Sequence, residues 1–502
     1  MHLPEAQPSR RPSRIRHRPM NSSLRVATRA SLVVLAALNG CATNPVSGKS
    51  ELSLISQSQE IQMGQQASTG DLKSVGEANH PAAQAMVRRI GQAIASKSER
   101  PGLPWAFHVL DDAAVNAFAY PGGFIFVTRG LMAHLTNEAE LAEVIGHEIG
   151  HVTAKHTVAA MSKQQIAQIG LVGASVLSSK VAQYGDLLGT GASLLFLKFG
   201  RDDETQADAL GFKYSLAQGY DVRQAGKVFN TLARLQSEGG GARVPEWQST
   251  HPDPGNRVKT AEAKAAALPA GSLTNAKVNR DGYLQMLNGM IYGENPRLGY
   301  FKGARFLHPD LRFQLDFPAG WKTMNMAQAV VSQSSDNSAQ LQLVPGQGSP
   351  AQALAQFTGQ QGITVQQSGN VTINGNPAAL AIFSAQTGDG GTLRGEAAAI
   401  QYAGTTYMLI GLMAANAPAQ RSNEIDGAIR SFRALTDPSL INVQPATIQL
   451  VTLTEAMTGS SFVQKYPSTI AANLVFIMNE IEATTSLPRG TVLKRVVGGV
   501  GQ

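Results

Sequence analysis

The sequence contains one cysteine, Cys41, among 502 residues. A chain without a second cysteine forms no internal disulfide, so its domains depend on the burial of apolar side chains. Aromatic residues make up 6% of the chain and charged residues 15%, whereas apolar residues reach 43%. This composition is typical of globular domains with substantial cores, and the length predicts about two to four of them.

The chain also has little net charge beyond its first 40 residues. The formal charge is +7, but residues 1–40 hold seven arginines and one acid, which leaves +7 − 6 = +1 for the remainder. A nearly neutral body has no excess of basic side chains to neutralise phosphates. We therefore expect no nucleic-acid partner.

Residues 1–40 have the pattern of a targeting segment. An arginine-rich start precedes the apolar run 30–38, which is too short to cross a bilayer as a mature helix. The run ends at Leu38-Asn-Gly-Cys41, which resembles a bacterial lipoprotein signal. In that pattern the cysteine is lipidated and becomes the first residue of the mature protein.

Lipidation of Cys41 predicts a soluble body tethered to a membrane by an acyl anchor. Ala42, which follows the cysteine, fits sorting to the periplasmic face of the outer membrane in this pattern. An unmodified cysteine beside an ordinary signal peptidase site is the alternative. Translation from Met20 instead of Met1 would give a more compact signal, and the sequence leaves both starts open.

The segment that organises the chain is His147-Glu-Ile-Gly-His151, which lies in a stretch with a helical pattern. Residues four apart share one face of a helix, so both imidazoles can bind one metal ion, with Glu148 beside them. Two histidines and a glutamate at this spacing are typical of zinc peptidases, which hold one Zn²⁺ per chain. The alternative is a helix that carries two unrelated histidines.

A zinc site that keeps one position for water needs a third protein ligand. Glu204 is the best-placed candidate, in a helix predicted to begin near Arg201. Asp208, one turn further on the same face, could accept the second N–H of a ligand histidine. Without the histidine pair, both acids would be interpreted as a solvated helix face. His156 is five residues past His151, off the ligand face, and is not predicted to take part.

A predicted strand precedes the histidine helix and contains Phe124, Ile125, Phe126 and Val127. A strand in this place can offer its edge to an extended peptide substrate, whose backbone then pairs with it. The alternative is an internal strand that only packs. After the histidine helix come two apolar stretches, 166–177 and 187–197, which predict either two packed helices or a mobile lid or membrane-facing hairpin over the cleft.

Four motifs together resemble the zinc metallopeptidase family that includes the CAAX prenyl endopeptidases and bacterial envelope quality-control proteases. The resemblance covers about residues 50–295. In chain order the motifs are Asn116-Ala-Phe-Ala with Pro121-Gly-Gly, His147-Glu-Ile-Gly-His151, Glu204-x-x-Ala-Asp208, and His251-Pro with Arg257.

The resemblance implies a zinc metalloendopeptidase in which Glu148 is the general base. It also implies site roles for His251 and Arg257, which could stabilise the oxyanion of the reacting carbonyl. A loop histidine could instead occupy the open metal position and hold the enzyme latent. The alternative for both residues is a structural turn.

The family also implies a biological setting. Lipidated members stand in the periplasm beside outer-membrane assembly machinery, where misfolded or misassembled envelope proteins are the polypeptide substrates. The C-terminal half of this chain has no 34-residue helical repeats, so a partner inferred from such repeats is not expected. Two other functions stay open: a periplasmic chaperone or adaptor in which proteolysis is secondary, and a cell-wall binding protein.

The predicted fold class is α+β. We divide the chain into a signal peptide (1–40), a tether with a first helix (41–80), a mostly helical peptidase domain of the glutamate-zincin type with a small sheet (81–297), an accessory α+β domain (300–436), and a small α/β unit (442–497). The accessory domain is predicted as an antiparallel sheet with two helices over one face.

The small unit is predicted as a strand, a helix near 453–458, a helix over 470–482 and a terminal strand. That order resembles a LysM-like glycan-binding repeat and implies contact with peptidoglycan.

Overall fold

The computed structural model shows a mixed α+β protein, as predicted. The predicted signal segment and both apolar stretches lie outside the described residues. Among the residues described, no helix combines the length and the apolar character needed to cross a bilayer. The structure describes residues 41–163, 199–238, 251, 254–326, 329–386 and 391–499.

The N-terminal half is mostly helical. Its helices are α1 (Gln57–Ser74), α2 (Pro81–Ala95), α3 (Arg129–His134), α4 (Glu138–Thr153), α5 (Arg201–Ala217), α6 (Ala225–Ser237), α7 (Pro254–Ala266) and α8 (Arg280–Leu287), with 3-10 turns at Val222–Gln224 and Pro296–Leu298. Its strands are β1 (Cys41–Thr43), β2 (Ser50–Leu52), β3 (Ala106–Leu110), β4 (Ala117–Tyr120) and β5 (Phe124–Thr128).

Helix α4, which carries the histidine pair, lies at the centre of this half and is buried along its whole length. The side chain of Asn137 caps its first turn by accepting a hydrogen bond from the Glu140 amide. Glycines let α5 approach closely: a Cβ at Gly146 would lie 3.1 Å from the Cα of Gly211. This contact places the first turns of α5 beside the histidine face of α4.

Strand β5 is the central strand of a three-stranded sheet, with β3 parallel on one side and β4 antiparallel on the other. The prediction that Phe124, Ile125, Phe126 and Val127 form the substrate edge is therefore wrong. All five residues of β5 are buried. An uninterrupted apolar run is typical of a strand covered on both faces, and chain order does not reveal which strand lies at the edge.

Helix α1 belongs to the core of this half, although the sequence predicted only a short helix in a tether. Its Glu60 carboxylate is 1% exposed and accepts two hydrogen bonds from Arg100, at 2.7 and 2.8 Å. Arg100 also donates to the carbonyl of Val152, near the end of α4. The amide of Gly122 donates to the same carboxylate at 3.2 Å. One buried ion pair thus joins α1, the Pro-Gly-Gly turn and the histidine helix.

The accessory region is built on a seven-stranded antiparallel sheet, in the order β12-β13-β14-β15-β11-β10-β9, and a four-stranded sheet, in the order β16-β8-β7-β6. Its strands are β6 (Tyr300–Lys302), β7 (Arg305–His308), β8 (Phe313–Asp316), β9 (Lys322–Met326), β10 (Ala329–Gln333), β11 (Ala339–Pro345), β12 (Ile363–Ile373), β13 (Asn376–Gln386), β14 (Thr392–Tyr402), β15 (Thr405–Ala414) and β16 (Arg433–Ala434). Its helices are α9 (Pro350–Thr358), α10 (Gln420–Arg430) and α11 (Pro438–Ile441).

The prediction that two helices cover one face of this sheet is wrong. Along β14, Ala397 and Ala399 pack in the cluster that contains Leu354 of α9, whereas Ala398 and Ile400 pack in the cluster that contains α10. Alternate residues of a strand point to opposite faces, so the two helices cover opposite faces. The apolar run 397–400 is typical of a strand that is buried on both faces.

The C-terminal unit packs into the N-terminal half. Its strands β17 (Ala446–Thr452) and β20 (Val492–Gly498) pair antiparallel, and Ile448 and Val496 join the core cluster of the N-terminal half. The helix predicted near 453–458 is wrong, because residues 453–456 are not helical, Met457–Thr458 is a strand, and the helix begins at Gly459. The remaining elements are β18 (Met457–Thr458), α12 (Gly459–Lys465), α13 (Ala472–Met478) and β19 (Ser486–Leu487).

Candidate metal centre

Four buried side chains converge between α4, α5 and the segment that precedes α7. They are His147, His151, Glu204 and His251, and their ligand atoms all lie within 4.8 Å of one another. The Nε2 atoms of His147 and His151 are 3.0 Å apart. The carboxylate oxygens of Glu204 lie 3.6 Å from the first and 3.5 Å from the second.

This donor set fits a divalent metal ion. Two imidazole nitrogens and one carboxylate oxygen match the ligands of metallopeptidase sites, and the carboxylate supplies negative charge to a buried cation. Burial lowers the pKa of His147 and of His151. Neutral imidazoles are the form that binds metals.

Asp208 holds the far side of the His147 ring. Its Oδ1 lies 2.9 Å from Nδ1 of His147, and Arg257 donates from Nε to its other oxygen at 2.8 Å. Burial would raise the pKa of Asp208, but the hydrogen bond to His147 and the charge of Arg257 outweigh it and hold the pKa well below its usual range. An ionised Asp208 accepts the Nδ1–H of His147, which leaves Nε2 free for a metal.

Arg257 is a bridge between acids in this structure. Besides Asp208, it lies 3.4 Å from Glu204 through Nη1, and its guanidinium stacks over the ring of Phe229 at 4.3 Å. These contacts hold the two carboxylates of α5 in place beside the histidines. The side chain therefore orients Glu204 and Asp208, and its Nη2 also lies 3.3 Å from Nδ1 of His147.

Glu148 is 1% exposed and lies next to the cluster. Its Oε1 has no hydrogen-bond partner among the described residues, and Nε2 of His251 lies 3.7 Å away. Burial raises the pKa of Glu148 to about 7, with Glu204 adding to the rise and His251 opposing it. A carboxyl group with a pKa near neutrality can both take and give a proton.

His251 lies within the cluster. Its Nδ1 is 2.9 and 3.1 Å from the two oxygens of Glu204 and 3.3 Å from Nε2 of His147. The sequence motif predicted a site role for His251, but it did not show that the ring would lie among the other donors.

His156 was missed by the sequence analysis. Its Nδ1 lies 3.0 Å from Nδ1 of His151, and its Nε2 lies 2.9 Å from Oε1 of Gln206. The expectation that it lies away from the site fails because α4 ends at Thr153 and Lys155 adopts a left-handed φ of 59°. Counting residues along one continuous helix does not apply across this break, and neither glycine nor proline marks it.

A helix with two histidines four residues apart, a glutamate beside the first, and a carboxylate from a second helix define a metallopeptidase domain. Residues 81–265 match the model of peptidase family M48, so this segment is an M48 metallopeptidase domain. The match begins at α2 and ends within α7, and it contains all four donors.

Two relatives show how far the similarity extends. The chain is 34% identical over 175 residues to the mitochondrial metalloendopeptidase OMA1 of Arabidopsis thaliana, which covers 34% of this chain and 34% of that protein. It is 30% identical over 231 residues to the beta-barrel assembly-enhancing protease of Escherichia coli (strain K12), which covers 44% of this chain and 47% of that protein. The chain therefore spans about half, or less, of the curated relatives it matches.

Proposed function

We propose that this protein is a zinc-dependent endopeptidase that hydrolyses peptide bonds in misfolded or misassembled polypeptides. The observation that carries the proposal is the convergence of His147, His151 and Glu204, with their ligand atoms within 4.8 Å of one another. The M48 match over residues 81–265 supports it.

His147, His151 and Glu204 would hold the zinc ion. A zinc ion bound there supplies a Lewis acid for the scissile carbonyl and a water that is acidic near neutral pH. Glu148 takes the proton of the attacking water and passes it to the leaving amine nitrogen. Asp208 keeps the His147 ring oriented, and Arg257 acts as a positioning residue because it pairs with Asp208 and Glu204.

Removal of the metal is expected to abolish cleavage of casein by the purified mature chain, and one equivalent of Zn²⁺ is expected to restore it. Because α4 and α5 also contact each other through glycines, circular dichroism should show little loss of helix in the metal-free protein. Metal analysis of the purified protein measures the zinc content directly. A protein that contains no zinc and rebinds none would exclude the proposal.

We propose β4 as the edge that receives the substrate. Among the described residues β4 pairs on one side only, and it packs against the histidine helix. Phe118 and Ala119, in the middle of this strand, are partly exposed. An extended peptide could pair with β4 through its backbone, and pairing of this kind makes little demand on sequence, which suits unfolded polypeptide substrates.

We also propose that His251 keeps the site latent by occupying the position that water needs. Its contacts with Glu204 and His147 support this role over that of an oxyanion donor, since the ring lies among the donors. An open form would then require the His251 ring to leave its position among the donors.

His251→Ala is expected to raise the rate of casein cleavage by roughly threefold or more, because the inactive conformation loses its stabilising ligand. Zinc affinity should fall, because one donor is removed. The double variant with Glu148→Gln serves as the control and should be inactive. A loss of about 10²-fold or more in kcat would contradict latency and assign His251 to the oxyanion instead.

The cellular setting is proposed on sequence grounds and on a relative's name. The E. coli relative is called a beta-barrel assembly-enhancing protease. We propose that this chain likewise works in the bacterial envelope, attached through lipidated Cys41 to the periplasmic face of the outer membrane and close to its assembly machinery. A chaperone or adaptor role remains the alternative function.

The C-terminal unit has a shallow groove with a volume of about 660 Å³. Its lining combines hydroxyl, amide and charged groups with the apolar side chains of Ala456 and Met457. The lining residues include Glu455, Met457, Thr458, Ser461, Gln464 and Lys465. Contact with peptidoglycan through this unit stays a prediction of the sequence.

A further inference from the structure

The Nδ1 atoms of the two histidines of α4 have different hydrogen-bond partners. Nδ1 of His147 lies 2.9 Å from a carboxylate oxygen of Asp208. Nδ1 of His151 lies instead 3.0 Å from another ring nitrogen, Nδ1 of His156. Two ring nitrogens at this distance can share one hydrogen, so one of them must carry it and the other must accept it.

The hydrogen-bond partner of Nε2 of His156 determines whether His151 or His156 donates the hydrogen between the two Nδ1 atoms. Its Nε2 is 2.9 Å from the amide oxygen of Gln206, which is an acceptor only. A carboxylate oxygen of Asp203 lies 3.9 Å from the same nitrogen and also favours a hydrogen there. With the hydrogen on Nε2, a neutral His156 presents the lone pair of Nδ1 to His151.

The direction of this hydrogen bond determines which nitrogen of His151 is available to a metal. Because His156 accepts through Nδ1, His151 must carry its hydrogen on Nδ1 and leave Nε2 unprotonated. The Nε2 of His151 is the atom that faces His147 and Glu204. The opposite direction would put a hydrogen on Nε2 and prevent it from binding a metal.

A neutral relay also suits the charge of this site. Glu204 and Asp208 already lie beside the two histidines, and Arg257 pairs with both carboxylates. A third acid behind His151 would add negative charge in a buried region, where it is costly without a partner. An imidazole and an amide provide the hydrogen bond without that charge.

We propose that His156 and Gln206 are positioning residues that fix the tautomer of His151 with Nε2 free for the metal. The inference rests on the proposed metal centre for its purpose, but the tautomer exists in the metal-free protein as well. It can therefore be tested with or without zinc.

The experiment uses a matched pair of substitutions at His156 and a third substitution at Gln206 in the mature chain. His156→Asn keeps an acceptor near the position of Nδ1, whereas His156→Leu has nearly the same shape and no acceptor. Gln206→Met similarly keeps the length of the side chain without the amide. For each variant, zinc affinity is measured by competition with a chelator, and the ring tautomers of the metal-free protein are measured by two-bond ¹H–¹⁵N correlation NMR with ¹⁵N-histidine.

In the wild-type protein the His151 ring is expected to carry its hydrogen on Nδ1. His156→Leu is expected to weaken zinc binding by about 10–100-fold and to mix the two tautomers. His156→Asn should stay close to the wild type in both, and Gln206→Met should lie between them. A similar thermal midpoint for the Leu and Asn variants would show that the difference is not a loss of folding.

Two results would overturn the relay: a wild-type His151 ring with its hydrogen on Nε2, or equal zinc affinity and equal tautomer populations in the Leu and Asn variants. Failure of the proposed function is distinguishable from either. A wild-type protein that binds no zinc, but whose His151 tautomer still changes in His156→Leu, would remove the peptidase proposal and keep the relay.

Discussion

Glu148→Gln is expected to lower kcat for casein cleavage by about 10³-fold, while the protein keeps its zinc. The amide has nearly the shape of the carboxylate but cannot take the proton of the attacking water. Zinc should remain because the substitution leaves the donor atoms of His147, His151 and Glu204 in place. Initial rates with labelled casein and metal analysis of the same samples measure the two properties together.

Glu143→Gln provides a matched control on the same helix. Glu143 is buried one turn before His147, and burial raises its pKa to about 8, with Asp208 adding to the rise. At neutral pH it is therefore mostly protonated and resembles glutamine in charge. The control should keep a kcat close to that of the wild type. A Glu148→Gln protein with more than a tenth of wild-type activity would contradict the assignment of Glu148 as general base.

The same variant separates the two functions that stay open. If it binds zinc, fails to cleave casein and still complements a deletion strain, client binding is the primary role and hydrolysis is secondary. If it fails to complement, the peptidase activity is what the cell requires. Polypeptides captured by the inactive variant, and absent from a sample of wild-type protein, would identify substrates.

The donor set was accessible from the sequence because helical geometry relates residues at short range. His147 and His151 share a face because of the helical pitch, and Glu204 lies in the acidic first turn of a second helix. The glycines that bring the two helices together, Gly146 and Gly211, also stand in the sequence, but nothing in it shows that they face each other.

The wrong predictions have a common cause: a local sequence pattern does not show which residues a segment contacts in the folded protein. The apolar run Phe124–Val127 is compatible both with a central strand and with an edge strand. The apolar run 397–400 likewise does not say that a helix covers each face. The break after α4 depends on a left-handed Lys155, a conformation that the sequence does not signal.

The integration of the C-terminal unit into the N-terminal half is the least predictable feature, and it leads to the second large expected effect. Lys494 on β20 is fully buried, and its Nζ donates to the carbonyl oxygens of Ala133 and Leu135, at 2.9 and 2.5 Å. These carbonyls lie at the end of α3, just before α4 begins. Burial lowers the pKa of Lys494 to about 7, against the opposing charge of Glu140 and Glu480.

Lys494→Ala is expected to reduce the free energy of unfolding by about 3–5 kcal/mol. The variant loses two buried hydrogen bonds, removes a positive charge near Glu140 and Glu480, and opens a cavity between the C-terminal unit and the histidine helix. Lys494→Met should lose less, because it fills the same space with an apolar side chain. Denaturant unfolding, followed by circular dichroism, measures all three proteins.

Lys465→Ala is the appropriate control for this loss, since it makes the same substitution in the same unit. Lys465 pairs with Glu455 at the surface, where solvent screens the interaction, so its removal should change stability little. Because Lys494 holds the chain that leads into α4, its loss should also weaken zinc binding, whereas Lys465→Ala should not. If the two alanine variants unfolded alike and bound zinc alike, the C-terminal unit would have to be regarded as a separate module that only rests on the peptidase domain.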